Sequence, residues 1–223
     1  MPEALVIQHV AAEGVGRFAA WLPAFGLDLR IVHAYLGEPV PAAVDADALI
    51  VLGGPMGAYD DAEVPWLAAT KSLLAAAVRT EVPTLGVCLG AQLLAVATGG
   101  TVAPGGAGPE LGLGAVDITT ADKLFDVGEM PVVQWHYDTV VELPADAVLL
   151  GSSDRYPVQA YRVRESAWGL QFHVEATSDM VGDWARSEQL DEHDLVDAVV
   201  AADAGLGAVG EEIARRFAAI AVA

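Results

Sequence analysis

The chain has 223 residues, of which 31 are acidic and 11 are Lys or Arg, so its formal net charge is −20. A surface this acidic repels phosphate backbones, and we therefore expect no nucleic-acid ligand. Apolar residues form 54% of the sequence, which is enough for the core of one domain over residues 1–223.

Three features of the sequence bear on membrane attachment and location. The richest apolar run, residues 72–78, is too short to span a bilayer, so we expect no membrane partner. The N-terminal residues lack the basic region and the long apolar region of a signal peptide and favour a strand instead. The single cysteine, Cys88, cannot form an internal disulfide, which agrees with a reducing, cytoplasmic setting.

Short, branched apolar runs alternate with helical patterns in the first half of the chain. The predicted strands are Leu5–Val10, Leu29–Tyr35, Asp47–Gly54 and Thr84–Val87. The predicted helices are Gly14–Phe25, Pro65–Thr80 and Ala91–Gly100. Strands linked by helices predict an α/β fold with a doubly wound, mostly parallel sheet and helices on both faces.

The second half of the chain changes character. Strand-like runs separated by Pro, Gly and Asp occur at Gly114–Thr119, Pro131–His136, Ala147–Ser153, Val158–Val163 and Ala167–Glu175. This spacing predicts hairpins that extend the sheet rather than further βαβ units. From Ser178 onward the pattern is helical again, with segments at Met180–Leu190 and Gly210–Ala221.

The strongest local signal is a strand that runs directly into Cys88 and continues as a helix. Gly86 and Gly90 flank the cysteine in the G-x-C-x-G spacing of a nucleophile elbow, where small residues allow a sharp turn. At a helix N-terminus the sulfur meets unpaired N–H groups and the positive end of the dipole, which favour a thiolate. A buried, inert cysteine is the alternative interpretation.

A nucleophilic thiolate needs a base, and His173 is the best candidate among five histidines. It lies in a strand-like run that ends in His-x-Glu, and residues i and i+2 of an extended segment point to the same side. Glu175 can therefore hydrogen-bond the ring and fix its tautomer. We interpret His9 and His33 as structural and His193, within an acidic run, as a solvated surface residue.

A third candidate element is the glycine-rich loop Gly53–Gly57, which follows a buried strand. Its N–H groups can face inward without side-chain interference and could donate to an oxyanion during acyl transfer. The loop has no lysine and no GK[ST] sequence, so it is not a P-loop.

Three motifs in this order carry a resemblance to a known family. They are Gly53–Pro55, Gly86–Gln92 and Gln171–Glu175, and together they resemble the class I glutamine amidotransferases, including the amidotransferase part of GMP synthase. The likeness runs over about residues 48–175. One departure is Val174, which stands where the family usually has proline between the histidine and the glutamate.

The resemblance implies a flavodoxin-like fold and a set of catalytic residues. Cys88 would be the nucleophile, His173 the base and Glu175 the residue that orients the base. The backbone N–H groups of Gly54 and Leu89 would form the oxyanion hole.

The resemblance also implies residues that hold the amino-acid end of glutamine. Gln92 and the backbone around Trp135, His136 and Tyr137 correspond to this part of the family's pocket. Glu110 resembles a glutamate that precedes a glycine near the same pocket. For His136 a structural role in a turn is an equal alternative.

The function expected from these residues is hydrolysis of a γ-glutamyl amide through a thioester, without a metal or an organic cofactor. The scattered histidines and single cysteine also argue against a dedicated metal site. The substrate would be glutamine or another γ-glutamyl compound, and a separate synthetase subunit could accept the ammonia. A free-standing γ-glutamyl peptidase is the first alternative, and a non-enzymatic regulatory protein on the same fold is the second.

Overall fold

Eleven strands and six α-helices make up the protein, and the computed structural model describes residues 1–223. The strands are β1 (Glu3–Gln8), β2 (Asp28–His33), β3 (Ala48–Val51), β4 (Thr84–Val87), β5 (Thr101–Pro104), β6 (Glu110–Ile118), β7 (Gly128–His136), β8 (Asp138–Glu142), β9 (Ala147–Ser152), β10 (Ala160–Val163) and β11 (Ala167–Leu170). The helices are α1 (Phe18–Ala24), α2 (Trp66–Arg79), α3 (Leu89–Ala97), α4 (Ser178–Ser187), α5 (Glu192–Ala201) and α6 (Asp203–Ala221). A short 3₁₀ turn, Ala34–Leu36, follows β2.

Nine strands form one mixed sheet in the order β2-β1-β3-β4-β11-β10-β9-β6-β7, and β5 pairs with β8 separately. Strands β2, β1, β3, β4 and β11 run parallel to one another. The strands from β11 to β7 pair antiparallel. The predicted doubly wound α/β fold is therefore confirmed, and the predicted hairpins extend the sheet on one side.

Helices cover both faces of the sheet because alternate strand residues point to opposite sides. On one face, Val6 belongs to a core cluster that also contains Phe18 of α1 and Phe217 of α6. On the other face, Leu5 belongs to a cluster that contains Leu74 of α2 and several residues of α3. Both faces of β3, β4 and β11 and nearly all of β1 are buried, which explains the apolar runs in these strands, whereas the edge strand β2 is only partly buried.

Several elements differ between the sequence prediction and the structure. The strand expected at Ala167–Glu175 ends at Leu170, after which only His173 forms an isolated bridge, to Val133 of β7. Helix α5 is not expected from the sequence, because its acidic first turn resembles a solvated loop; its side-chain cap comes from Asp191. Helix α6 begins at Asp203 rather than Gly210, since packing overrides the low helix propensity of its glycines.

The parallel strands bring the predicted site residues to one edge of the sheet. Gly54 and Cys88 lie just beyond the carboxyl ends of β3 and β4, and His173 lies shortly after β11. The carboxyl edge of an open parallel sheet is where such folds bind ligands. No helix combines the length and apolar character that crossing a bilayer would need.

Candidate active site

Cys88 lies in a sharp turn between β4 and α3, as the elbow motif predicts. Its backbone has φ 51° and ψ −110°, a positive φ that few residues other than glycine adopt. The turn is held from both sides, because Cys88 N donates to Leu170 O at 2.7 Å and Gln92 N donates to Cys88 O at 3.1 Å. The strained conformation is therefore fixed by the surrounding backbone.

The two glycines of the elbow are required by close backbone contacts. A Cβ atom at Gly90 would lie 2.0 Å from Val51 O, and one at Gly86 would lie 2.6 Å from the carbonyl carbon of Gly90. Neither position can hold a side chain without moving the backbone of β3 or α3. Helix α3 starts at Leu89, two residues before its predicted start, so Cys88 stands immediately at its N-terminus.

His173 and Glu175 form a buried pair beside the elbow. The ring Nδ1 of His173 lies 2.7 Å from Glu175 Oε1, and both side chains are only 1% exposed. His173 Nε2 is buried and makes no hydrogen bond within the chain. The segment is anchored to the antiparallel part of the sheet, where His173 N donates to Val133 O at 2.8 Å. The predicted contact exists, although it is made beyond the end of β11.

The electrostatics of the cysteine and histidine are coupled. Burial raises the pKa of the Cys88 thiol, and the nearby His173 acts in the opposite direction. Burial alone would lower the pKa of His173, but the carboxylate of Glu175 and the thiolate of Cys88 outweigh it and hold the pKa well above its ordinary value. The raised pKa makes the imidazole of His173 a stronger base than an ordinary histidine.

Cys88 lines a cavity of about 470 Å³. The same cavity is lined by Gly54, Gln92 and the segment from Trp135 to Asp138. Gly54 N–H donates to no backbone carbonyl, and a Cβ at this position would lie 3.1 Å from Leu89 Cδ2. Leu89 is the first residue of α3, where helix N–H groups lack intrahelical acceptors. Gly54 and Leu89 are therefore neighbours, and Leu89 directly follows Cys88.

The side chain of Gln92 bridges two parts of the cavity wall. Its Nε2 donates to Asp138 O at 3.1 Å and to Gln171 Oε1 at 3.2 Å. Gln92 lies on α3 and lines the cavity.

Glu188, at the end of α4, accepts hydrogen bonds from two side chains of the segment from Trp135 to Tyr137. Trp135 Nε1 donates to Glu188 Oε1 at 2.8 Å, and the Tyr137 hydroxyl donates to the other carboxylate oxygen. This hydrogen bond raises the pKa of Tyr137 to about 12. The carbonyl oxygen of Trp135 lies 3.5 Å from Cys88 Sγ, so Glu188 holds a strand end that touches Cys88.

Glu110 lies behind His136 and is not among the residues that line the cavity of Cys88. Its carboxylate meets His136 Nε2 at 2.9 Å and accepts hydrogen bonds from Ser153 at 2.8 Å and Gln159 at 2.6 Å. Burial would raise the pKa of Glu110, but these bonds outweigh it and lower the pKa. His136 itself does line the cavity, so Glu110 supports one residue of the cavity wall.

The remaining histidines have other partners. His9 is fully buried, and its Nδ1 accepts a hydrogen bond from Trp66 Nε1 at 3.1 Å. His33 lies 3.6 Å from Glu38, and His193 is 85% exposed beside Asp191. No group of three or more His, Cys, Asp or Glu side chains is arranged to hold a metal ion.

Three side chains at this site were missed by sequence reasoning: Glu13, Trp184 and Glu188. The ring of Trp184 lies 4.7 Å from that of His173 and backs it. Glu13 lies in the loop after the carboxyl end of β1. Because parallel sheets bind ligands at this edge, that position could have indicated a site residue. Trp184 and Glu188 come from α4 and its C-terminal end, and nothing local in the sequence connects this helix to the elbow.

Comparison with known proteins places this arrangement in a family. A sequence model described as glutamine amidotransferase class-I matches residues 22–184, well over half of the chain. The chain belongs to the class I glutamine amidotransferase family. The matched region contains Cys88, His173 and Glu175 and leaves Glu13 and Glu188 outside.

Individual relatives agree with this membership. GMP synthase of Cytophaga hutchinsonii is 41% identical over 108 residues, which cover 47% of this chain and 21% of that protein. γ-Glutamyl peptidase 4 of Arabidopsis thaliana is 30% identical over 144 residues, covering 61% of this chain and 57% of the peptidase. The chain therefore spans about a fifth of the first relative and somewhat over half of the second. A glutamine-hydrolysing GMP synthase subunit from Picrophilus torridus is 32% identical, with 69% of this chain and 79% of the relative covered.

The fold is shared with a solved structure over nearly its whole length. The crystal structure of a glutamine amidotransferase from Thermotoga maritima superposes with a TM-score of 0.87 at 27% identity. The superposition covers 97% of this chain and 98% of that one.

Proposed function

We propose that residues 1–223 form one amidotransferase domain that hydrolyses the γ-amide of glutamine to glutamate and ammonia. The observation that carries the proposal is the buried His173–Glu175 pair at 2.7 Å, placed beside a cysteine held at φ 51°. A base with a raised pKa, a nucleophile at a helix N-terminus and adjacent N–H donors are the groups that acyl transfer needs.

The proposed reaction proceeds in two steps. His173 takes the proton of Cys88, and the sulfur attacks the γ-carbonyl carbon while the N–H groups of Gly54 and Leu89 hold the oxyanion. The C–N bond breaks as His173 returns the proton to the leaving nitrogen, which gives a γ-glutamyl thioester and ammonia. Water, deprotonated by His173, then attacks the thioester, and glutamate leaves as the sulfur regains its proton.

Substrate recognition involves the other wall of the cavity. Gln92 and the segment from Trp135 to Tyr137 would hold the amino-acid end of glutamine, and Glu110 would support this wall through His136. A synthetase partner would accept the ammonia, as the similarity to GMP synthase and to the Picrophilus GMP synthase subunit suggests.

Hydrolysis of γ-glutamyl peptides is the second candidate, because γ-glutamyl peptidase 4 is 30% identical over 61% of this chain. Release of ammonia and glutamate from glutamine should be compared with amine release from γ-glutamyl dipeptides, using the purified protein. Faster turnover of glutamine supports the amidotransferase, and faster turnover of dipeptides supports the peptidase. If neither substrate is hydrolysed, the non-enzymatic alternative replaces both.

Glu175→Gln should reduce kcat for glutamine hydrolysis but leave measurable activity. The amide can still accept a hydrogen bond from His173 Nδ1, yet it no longer stabilises the imidazolium that forms when the base is protonated. We expect a loss smaller than that of His173→Ala, measured as initial rates of ammonia release. A greater loss in Glu175→Gln than in His173→Ala would mean that the two roles are assigned wrongly.

Glu188→Gln should raise KM for glutamine more than it lowers kcat, because Glu188 orders the strand end proposed to hold the amino-acid end of the substrate. Tyr137→Phe, which removes one of the two hydrogen bonds to Glu188, should have a smaller effect in the same direction. The check is a full saturation curve for each variant. An effect on kcat alone, with KM unchanged, would contradict this role.

A further inference from the structure

The loop between β1 and α1 carries Glu13 to the wall of the cavity that contains Cys88. No Lys or Arg side chain lines this cavity, whereas Asp138 and Glu188 do. Glu188 already accepts hydrogen bonds from Trp135 and Tyr137. Glu13 differs, because its carboxylate accepts no hydrogen bond from another side chain.

The position of Glu13 is fixed by the segment that carries the proposed base. Arg17 N donates to Glu175 O at 2.8 Å, and Arg17 Nε donates to Ala176 O at 2.9 Å. Trp184, whose ring backs His173, donates from Nε1 to Ala12 O at 3.0 Å. The loop is therefore attached to both sides of the catalytic histidine, and Glu13 is held in place with it.

Gly53 shows on which side of the cavity Glu13 lies. A Cβ atom at Gly53 would be 2.1 Å from Glu13 Oε2 and 3.1 Å from His173 Cε1. The carboxylate and the imidazole thus approach each other across this glycine. In the proposed reaction His173 delivers the proton to the departing nitrogen, so Glu13 faces the leaving group rather than the amino-acid end.

The environment of this carboxylate favours a positive charge on whatever binds there. Burial raises the pKa of Glu13 to about 7, with His173 opposing the shift and Glu175 and Glu188 adding to it. A partly desolvated carboxylate that no Lys or Arg of the cavity wall pairs with gains from a ligand ammonium group and repels a ligand carboxylate.

We propose that Glu13 forms a leaving-group subsite that favours γ-glutamyl amides whose amine substituent carries a positive charge. The same subsite disfavours substituents that end in a carboxylate, as those of γ-glutamyl dipeptides do. The inference rests on the proposed hydrolysis at Cys88 and adds a substrate class to it. The chemistry is unchanged: the C–N bond breaks, the amine leaves with the proton from His173, and water releases glutamate from the thioester.

The test is a series of three γ-glutamyl amides of similar length that differ in the charge of the distal group. They are the γ-glutamyl amides of 1,3-diaminopropane, butylamine and β-alanine. Their distal groups are cationic, neutral and anionic, respectively, at neutral pH. We expect kcat/KM to fall in that order for the wild-type protein at pH 8. We define the charge preference as kcat/KM for the cationic amide divided by kcat/KM for the anionic amide. In Glu13→Gln this ratio should fall by about tenfold or more, a change of about 1.4 kcal/mol.

The matched control is Glu211→Gln, which removes one carboxylate from an exposed position on α6 and should leave the ratio unchanged.

A second measurement uses the wild-type protein alone, because the ratio should rise between pH 6 and pH 8 as Glu13 ionises near its pKa of about 7. The other ionisable groups facing Glu13 are Cys88, His173, Glu175 and Glu188. Cys88 and His173 act on all three substrates, so the neutral amide serves as the reference for their titration.

Three results would overturn the inference. One is a wild-type ratio of kcat/KM for the cationic to the anionic amide that is near unity and does not change with pH. Another is a ratio that has the same value in Glu13→Gln as in the wild-type protein. The third is hydrolysis of glutamine with none of the substituted amides accepted. If the wild-type protein releases nothing from any amide, glutamine included, the proposed function itself fails and this subsite with it.

Discussion

Cys88→Ala should reduce ammonia release from glutamine to the background rate while the protein stays folded. Alanine supplies no nucleophile, and no other cysteine is present to replace it. The substitution removes a single buried sulfur atom, whose one hydrogen bond within the chain is to Trp135 O at 3.5 Å, so we expect the fold to persist. The measurement is steady-state ammonia and glutamate release, with thermal unfolding of both proteins as the control for folding.

A chemical label provides an independent check on the same residue. A glutamine-like electrophile such as diazo-oxo-norleucine should add once to the wild-type protein and not to Cys88→Ala, as seen in the intact mass. Glutamine should slow this labelling if both compete for the cavity. Normal turnover by the alanine variant would end the mechanism as proposed.

His173→Ala should be nearly inactive, because it removes both the base that forms the thiolate and the acid that protonates the leaving group. General acid–base catalysis is typically worth about 10²–10⁴-fold, and the lost activation of the sulfur adds to it. Without the histidine, burial and the nearby carboxylates of Glu13 and Glu175 keep the pKa of the Cys88 thiol high. Rates of ammonia release and of electrophile labelling should therefore fall together.

The control for this variant is His193→Ala, since that side chain is 85% exposed on α5 and should leave the rates unchanged. His173→Gln, which keeps more of the buried volume against Trp184, separates catalysis from packing. If His173→Gln restored stability and also full activity, the histidine would have a structural role only.

The core of this site could be predicted because its signals are local. The elbow needs only Gly86, Cys88 and Gly90 in order, and close contacts such as Gly90 to Val51 O explain why these positions accept no side chain. The His-x-Glu contact is predicted for a partly wrong reason. Strand alternation predicts that the two residues share one face of a strand, but β11 ends at Leu170. The contact survives because backbone hydrogen bonds to Val133 and Arg17 shape the segment.

The parts that could not be predicted depend on long-range contacts. Glu13 reaches the cavity because its loop is attached to residues 175–176 and to Trp184, contacts that span most of the chain. Glu188 meets Trp135 across 53 residues, and no periodicity or spacing rule connects them. The role expected for Glu110 depends on its neighbours in sequence, whereas its carboxylate is occupied by three side chains behind His136.

The most direct test of the account is to trap the γ-glutamyl thioester. The purified protein should be mixed with glutamine, quenched in acid within the first turnovers, digested and analysed by mass spectrometry. The proposed mechanism predicts a glutamyl adduct on the peptide that contains Cys88, at a level that falls as glutamine is exhausted, and no adduct in Cys88→Ala. Steady ammonia release without an adduct on Cys88, or with one at another residue, would contradict it.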